Sequence, residues 1–275
     1  LSGGGFTIEY NRTADGWDHF ADGADAIVNL AGAPLNRWWT PRYKRVIRES
    51  RVNAGRAVTQ AVEQAASKPR VVIQASGVGR YGPRGDEIVT VDAGPGDGFL
   101  GETAVAWEAS TAPVEDLGVR RAIIRSGVVL SREDGALPLM MHPFRFFVGG
   151  ALESGDQWFP WIHIDDAVRA IRLLIRDEDA RGPFNVTAPN PVTNTDFSQG
   201  LAQAMDRPML FRVPAFALRL ALGEMSTVVL NGQRAVPEKL LSLGFRFDFP
   251  ELGEALSDLT EQRNQSSYGL QASDR

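Results

Sequence analysis

The sequence predicts an α/β fold, a doubly wound parallel sheet followed by a small helical module. Three observations carry this. Short apolar runs alternate with a helical pattern in the order strand, helix, strand, helix, strand. Each run stops at a Gly or Ser turn, as at Ala31-Gly32, Ser76-Gly77 and Ser126-Gly127. The runs are apolar throughout instead of alternating with polar residues, which suits strands covered on both faces.

Phe6–Tyr10 (FTIEY) reads as a short strand after a Gly run, and Asn11–Asp25 is polar and turn-rich. Ala26–Leu30 (AIVNL) is the next strand. Thr40 and Pro41 open a long helix, because Thr caps well and Pro suits the first helical position. Its apolar stripe runs through Val46, Ile47, Ala54, Ala57, Val58, Ala61 and Val62 until Pro69. Arg70–Ala75 is a strand, followed by a loop of Gly, Pro and Asp from Gly79 to Gly98. A second helix is predicted over Phe99–Leu117 and a strand over Arg121–Leu130. Pro138–Trp161 reads as aromatic and irregular. Asp165–Ile175 is a helix whose acidic start suits its dipole. Gly182–Thr187 is a strand, and Pro191–Met205 is a turn then a helix.

From Arg207 the texture changes. Pro208, Pro214, Gly223, Gly232, Pro237 and Gly244 punctuate short helical pieces, a spacing that argues against further sheet strands. The domains are therefore expected at 1–206, a nucleotide-binding domain, and 207–261, a helical module lying as a separate layer over the substrate side. A polar tail follows at 262–275.

Composition narrows the function. The 275 residues hold 29 basic and 34 acidic side chains, a net charge of −5, so a broad basic footprint for nucleic acid is not expected. There are no cysteines, which excludes disulfides, thiolate metal sites and cysteine nucleophiles, and three histidines leave little for a metal centre. No run of about 18 apolar residues suggests a membrane span. A cytoplasmic protein acting on a small molecule is the expectation.

Ligands of doubly wound sheets bind at the carboxyl ends of the strands. Leu30-Ala31-Gly32, Ser76-Gly77 and Arg125-Ser126-Gly127-Val128 should then border one crevice. Ala31 and Gly32 would let a ligand approach the backbone, or they form a plain strand-to-loop turn.

Asn29-Leu30-Ala31-Gly32, then Ser76 with Tyr81-Gly82, Ile162-His163-Ile164-Asp165-Asp166 and Gly182-Pro183-Phe184-Asn185-Val186 resemble the extended short-chain dehydrogenase/reductase superfamily. Arg207-Pro208, Pro214, Gly223-Glu224, Asn231-Gly232-Gln233-Arg234, Pro237 and Gly244-Phe245-Arg246-Phe247 resemble one atypical branch of it. That branch consists of epimerase-like proteins with a small C-terminal domain of unknown function, sometimes labelled cell division inhibitor. The resemblance covers about Phe6 to Leu259 and implies a Rossmann-like sheet holding NADP, with NAD as the alternative. It places Leu30, Ala31 and Gly32 along the nicotinamide-side ribose and pyrophosphate, and Asn53 facing the cofactor strand. It places the backbone of Ser126, Gly127 and Val128 against the nicotinamide amide. Ser76 is expected along the cofactor with Ala31 and Ser126, and becomes the hydroxyl that meets a substrate carbonyl. In typical relatives that hydroxyl lies four residues before the Tyr-Gly pair, which is Gly77 here, so Ser76 fits if the loop is one residue longer.

The sequence departs from the superfamily at its Tyr-x-x-x-Lys pair. Counting back from Trp107-Glu108 puts those positions at Leu100 and Ala104, neither of which moves a proton, and none of the four tyrosines has a Lys four residues on. Tyr81 either substitutes as the acid or packs at a tight turn. Trp38, Trp158 and Trp161 wall a substrate pocket or belong to the core. His163 reads as a hydrogen-bonded structural residue, Asp165 and Asp166 as helix caps, and Arg37 and Arg80 as anion holders or solvated charges. The expected function is an NADP(H)-dependent reductase or epimerase on a small carbonyl or sugar-like substrate, with a homodimer expected by family analogy. The alternative is a catalytically silent, cofactor-sensing binding protein. Phe6–Tyr10 resembles the family's third strand, so the first β-α-β unit, roughly 40 residues, is expected to be missing upstream.

Overall fold

The computed structural model describes residues 16–261. The expected strand Phe6–Tyr10 and the tail 262–275 lie outside the described residues.

Strand β1 (Ala26–Asn29) leads into helix α1 (Pro41–Gln64) and returns in β2 (Val71–Gly77). Thr40 caps α1 by accepting from the Tyr43 amide at 3.1 Å, with Pro41 behind it, as the Thr-Pro pair predicts. A 3-10 turn (Val78–Tyr81) leaves the end of β2, and β3 (Ile88–Val89) precedes α2 (Phe99–Ala109). The second helix is shorter than expected, because the chain breaks at Ser110 and forms a 3-10 turn around Pro113.

The predicted strand over 121–130 is two strands, β4 (Arg120–Ser126) and β5 (Val128–Leu130), parted at Gly127. A Cβ on Gly127 would sit 2.7 Å from the Pro160 carbonyl oxygen, so only Gly lets the two segments cross here. Part of the stretch read as irregular is helix α3 (Ala136–Arg145), which buries Leu137, Met141 and Phe144 at helical spacing despite Pro143 inside it. Strands β6 (Gly150–Leu152), β7 (Trp158–Phe159) and β8 (Trp161–His163) follow, then α4 (Ile164–Arg176), β9 (Gly182–Val186), β10 (Val192–Thr193) and α5 (Asn194–Ala204).

The central sheet has the order β1-β2-β4-β9 with every pairing parallel. Among the described residues β1 pairs on one side only. Val71, Ile73, Ala122, Ile124 and Phe184 face α4 with Trp107, while Val72 packs with Val58, Val62, Val114 and Val119 on the other side. The continuous apolar runs are thus covered on both faces. Helices α1 and α2 cross so closely at Gly55 that a Cβ there would lie 1.8 Å from Ser110 Oγ. Gly55→Val is expected to cost about 1–3 kcal/mol of unfolding free energy from overpacking. Urea titration measures it, and a wild-type midpoint would contradict the close crossing.

The C-terminal segment contains β11 (Phe211–Val213), α6 (Ala215–Leu222), α7 (Thr227–Leu230), β12 (Arg234–Ala235), α8 (Glu238–Ser242) and α9 (Leu252–Thr260). It corrects two expectations. Strands do occur in it, since β11 pairs with β6 and β12 with β3, both parallel. Nor is it a separate layer. Leu252, Ala255, Leu256 and Leu259 share one core with Leu130, Trp161, Phe197 and Leu201, while Leu240 and Phe245 join the core under the sheet.

The Ile-His-Ile-Asp-Asp motif is what ties this segment down. His163 is the N-cap of α4, accepting from the Asp165 amide through Nδ1, and its ring stacks on Phe249 at 3.8 Å with Nε2 3.3 Å from Asp258 Oδ2. Fully buried Asp166 accepts from the Asp248 and Phe249 amides, each at 2.9 Å, and from Arg169.

Candidate functional site

The parallel register decides where the site lies. Asn29 pairs with Gln74, Ser76 with Arg125, and Gly77 with Ser126. Ala31 lies two residues past Asn29 and Ser76 two past Gln74, so Ala31, Ser76 and Ser126 come to the same carboxyl edge. Adjacent strands there are separated by about 4.8 Å. Asn29 stiffens the first of these turns: its Nδ2 donates to Gln74 Oε1 at 2.9 Å and its Oδ1 accepts from the Ala31 amide.

The edge is open in the middle. A Cβ placed on Gly77 would meet only the Ser126 carbonyl oxygen, at 3.7 Å. Leu30 is exposed, and Ala31 and Gly32 are half-buried. Arg51, which sequence reading did not single out, lies over Gly32, within 2.9 Å of where a Cβ would be. It donates to the Ala33 and Ile47 carbonyls and stands 5.0 Å above the Trp107 ring. Burial lowers its pKa.

Other expected contacts are placed differently. The Gly127 amide donates to Val186 O at 3.1 Å and the Val128 amide to Pro160 O at 2.7 Å, so both are already committed within the protein. Asn53 does not face Ala31. It lines a groove between α1 and α2 with Arg45, Arg48, Glu49, Arg56 and Glu63. The reason is helical phase: Ser50 and Arg51 are the α1 residues that contact Ala33, and Asn53 projects about 200° round from Arg51 at 100° per residue.

Ser76 and Tyr81 belong to a buried polar network. Ser76 Oγ donates to Glu108 Oε1 at 2.7 Å. Arg125 holds the same carboxylate with both arms, Nε to Oε1 at 2.9 Å and Nη2 to Oε2 at 3.0 Å. Its Nη1 donates to the Tyr81 hydroxyl at 3.0 Å, and Tyr81 donates to Asn185 Oδ1 at 2.6 Å. Asn185 Nδ2 in turn donates to the carbonyls of Val89 and Val236. Tyr81 is wholly buried, and desolvation raises its pKa. Both hydroxyl protons are therefore engaged inward. Glu108 and Asn185 were not picked out as site residues, and Arg125 only as part of a turn bordering the crevice. The available signal was a charged residue inside the apolar run RAIIRSGVVL, because charges are seldom fully buried unpaired.

Of the three tryptophans, Trp38 is exposed and lies against Gly223, whose Cβ would be 3.3 Å from Cζ3. Trp158 donates to Asp86 Oδ1 at 2.9 Å and carries Arg234 4.5 Å above its ring. Both therefore stand beside the C-terminal segment, which the Lys44–Glu224 pair at 2.6 Å also joins to α1. Trp161 has no exposure and sits in the core, so it does not line open space. Among the described residues no helix is long and apolar enough to cross a membrane, and no group of three or more acidic or histidine side chains could hold a metal ion.

Comparison with known proteins bears on this edge. Residues 213–259 match the model of a domain of unknown function (DUF1731). An epimerase family protein of Staphylococcus aureus is 42% identical over 254 residues, covering 90% of this chain and 84% of that protein. The chain belongs to the epimerase family, an atypical branch of the extended short-chain dehydrogenases/reductases. An epimerase family protein of Bacillus subtilis (YfhF) is also 42% identical, over 87% of this chain and 79% of the relative. The crystal structure of the human epimerase family protein SDR39U1 superposes with a TM-score of 0.84 at 32% identity, covering 89% of this chain and 85% of that one, and that protein was crystallised with NADPH. The Rossmann-like α/β class of this epimerase-family chain is thereby established.

Proposed function

We propose that this epimerase-family chain binds NADP(H), with NAD as the alternative dinucleotide, along the carboxyl edge of its sheet. It acts there as a reductase or epimerase on a small carbonyl or sugar-like substrate. The observation that carries the reading is the register that aligns Ala31, Ser76-Gly77 and Ser126 at an edge left uncovered over Gly77. Leu30, Ala31, Gly32 and Ser126 would hold the cofactor through backbone contact. The NADPH in the human relative supports the choice of dinucleotide.

When bound, the dinucleotide supplies the hydride chemistry, and the chain supplies orientation and a hydroxyl. Ser76 meets the substrate oxygen by turning its proton from Glu108, which Arg125 holds in place, and Trp38 and Trp158 border the substrate. A screen of small carbonyls following NADPH oxidation tests this, with Ser76→Ala expected to lower kcat by about 10²–10⁴ while leaving NADPH affinity near wild type.

A second reading, a catalytically silent cofactor sensor, is favoured by one observation: the protons of Ser76 and Tyr81 are both engaged inward, with Leu100 and Ala104 at the usual acid–base positions. Tight NADPH binding without turnover, unchanged in Ser76→Ala and Tyr81→Phe, would establish the silent protein instead. Should the chain form a homodimer, the groove between α1 and α2 suits it, because it carries both Arg45, Arg48 and Arg56 and Glu49 and Glu63, as a self-complementary face requires.

A further inference from the structure

The buried network at the end of β2 holds one carboxylate and two guanidinium groups. Arg125 balances the charge of Glu108, contacting both of its oxygens at 2.9 and 3.0 Å, and Ser76 donates to one of them. Arg80 is left over. It lies on the 3-10 turn that leaves Gly77, and its side chain is only 15% exposed. Its Nε stands 3.5 Å from Glu108 Oε2, within ion-pair range but without a hydrogen bond, and Nε and Nη1 are both buried with no hydrogen-bond partner. Three N–H donors of a permanently charged group are thus withdrawn from water and unanswered. Such an arrangement is costly unless a ligand completes it.

We propose that Arg80 is the anchor for an oxyanion, a carboxylate or phosphate group, carried by the substrate of this site. The proposal rests on the reading of the β2 edge as the active site and deepens it: the small carbonyl compound is an acid or a phosphate ester. The guanidinium fork matches the paired oxygens of either group. Its position, three residues past Gly77 and linked to Ser76 through Glu108, sets the anion beside the reacting end.

The test compares wild type with Arg80→Met and Arg80→Lys, using inorganic phosphate and malonate as probes and glycerol as the uncharged control. Without ligand, Arg80→Met is expected to raise Tm by about 2–4 °C, because an uncompensated buried charge is removed. A lower Tm would show Arg80 to be a needed partner of Glu108 and overturn the excess charge. By calorimetry, phosphate or malonate should bind wild type, glycerol should not, and Arg80→Met should weaken the anion by about tenfold or more. Arg80→Lys should retain part of it. Equal binding to wild type and Arg80→Met would contradict the assignment. Repeating the titration at saturating NADPH separates the sources of the anion. Unchanged anion affinity supports the substrate, whereas competition would give Arg80 to a cofactor phosphate and overturn the substrate claim. Absence of NADPH binding alongside Arg80-dependent anion binding would remove the cofactor reading and leave the anion site standing.

Discussion

Glu108→Leu is expected to lower the unfolding free energy by about 3–5 kcal/mol, the usual cost of breaking a buried pair by removing one partner. The side chains of Glu108 and Arg125 are 9% and 5% exposed, so solvent cannot take the place of the lost carboxylate. The substitution strands the Arg125 guanidinium between β2 and α2 and leaves Ser76 without its acceptor. The double replacement Glu108→Leu with Arg125→Leu should recover part of the loss, since it removes the stranded Arg125 charge but still leaves Ser76 without its acceptor and Arg80 without its ion-pair partner. Chemical denaturation of the two singles and the double measures the coupling. A Glu108→Leu protein within about 1 kcal/mol of wild type would mean that the pair is solvated in the native state.

Leu256→Ala is expected to cost about 2–5 kcal/mol, because a fully buried leucine leaves a cavity. The informative part is how the cost appears. Leu256 lies on α9, yet its core includes Leu130, Trp161, Phe197 and Leu201 from earlier in the chain. The whole described chain should therefore unfold in one transition, shifted as a unit. A first transition confined to the C-terminal segment, with the rest unmoved, would restore the separate-layer view that the pattern of Pro and Gly suggested.

The sequence made the sheet legible because its strands are covered on both faces, and coverage writes itself as uninterrupted apolar runs. Thr40-Pro41 marked the start of α1 because capping is local chemistry. The strands of the C-terminal segment were not legible. Phe211–Val213 and Arg234–Ala235 are short and owe their state to distant partners, Gly150–Leu152 and Ile88–Val89. Helix α3 was hidden by Pro138 and Pro143, although its buried positions keep helical spacing. Among site residues, the turn motifs led correctly to one edge of the sheet, as regular alternation of strand and helix requires. The Glu108–Arg125–Tyr81–Asn185 network escaped notice because it joins four segments that only the fold brings together. Asn53 was misplaced because a helix position says nothing of phase until the neighbouring strand is known.

The central claim, that the dinucleotide lies on the carboxyl edge between β2 and β4, is tested most directly at Gly77. Its φ of −152° is ordinary extended backbone, and a Cβ meets only Ser126 O at 3.7 Å, so a larger residue fits the protein itself. Gly77→Val should fold with a Tm near that of wild type, yet its side chain would stand in the space assigned to the cofactor. Titrating NADPH into both proteins, followed by fluorescence, should show affinity falling by about tenfold or more in Gly77→Val. Equal NADPH affinity in the two proteins would contradict the placement of the cofactor on this edge.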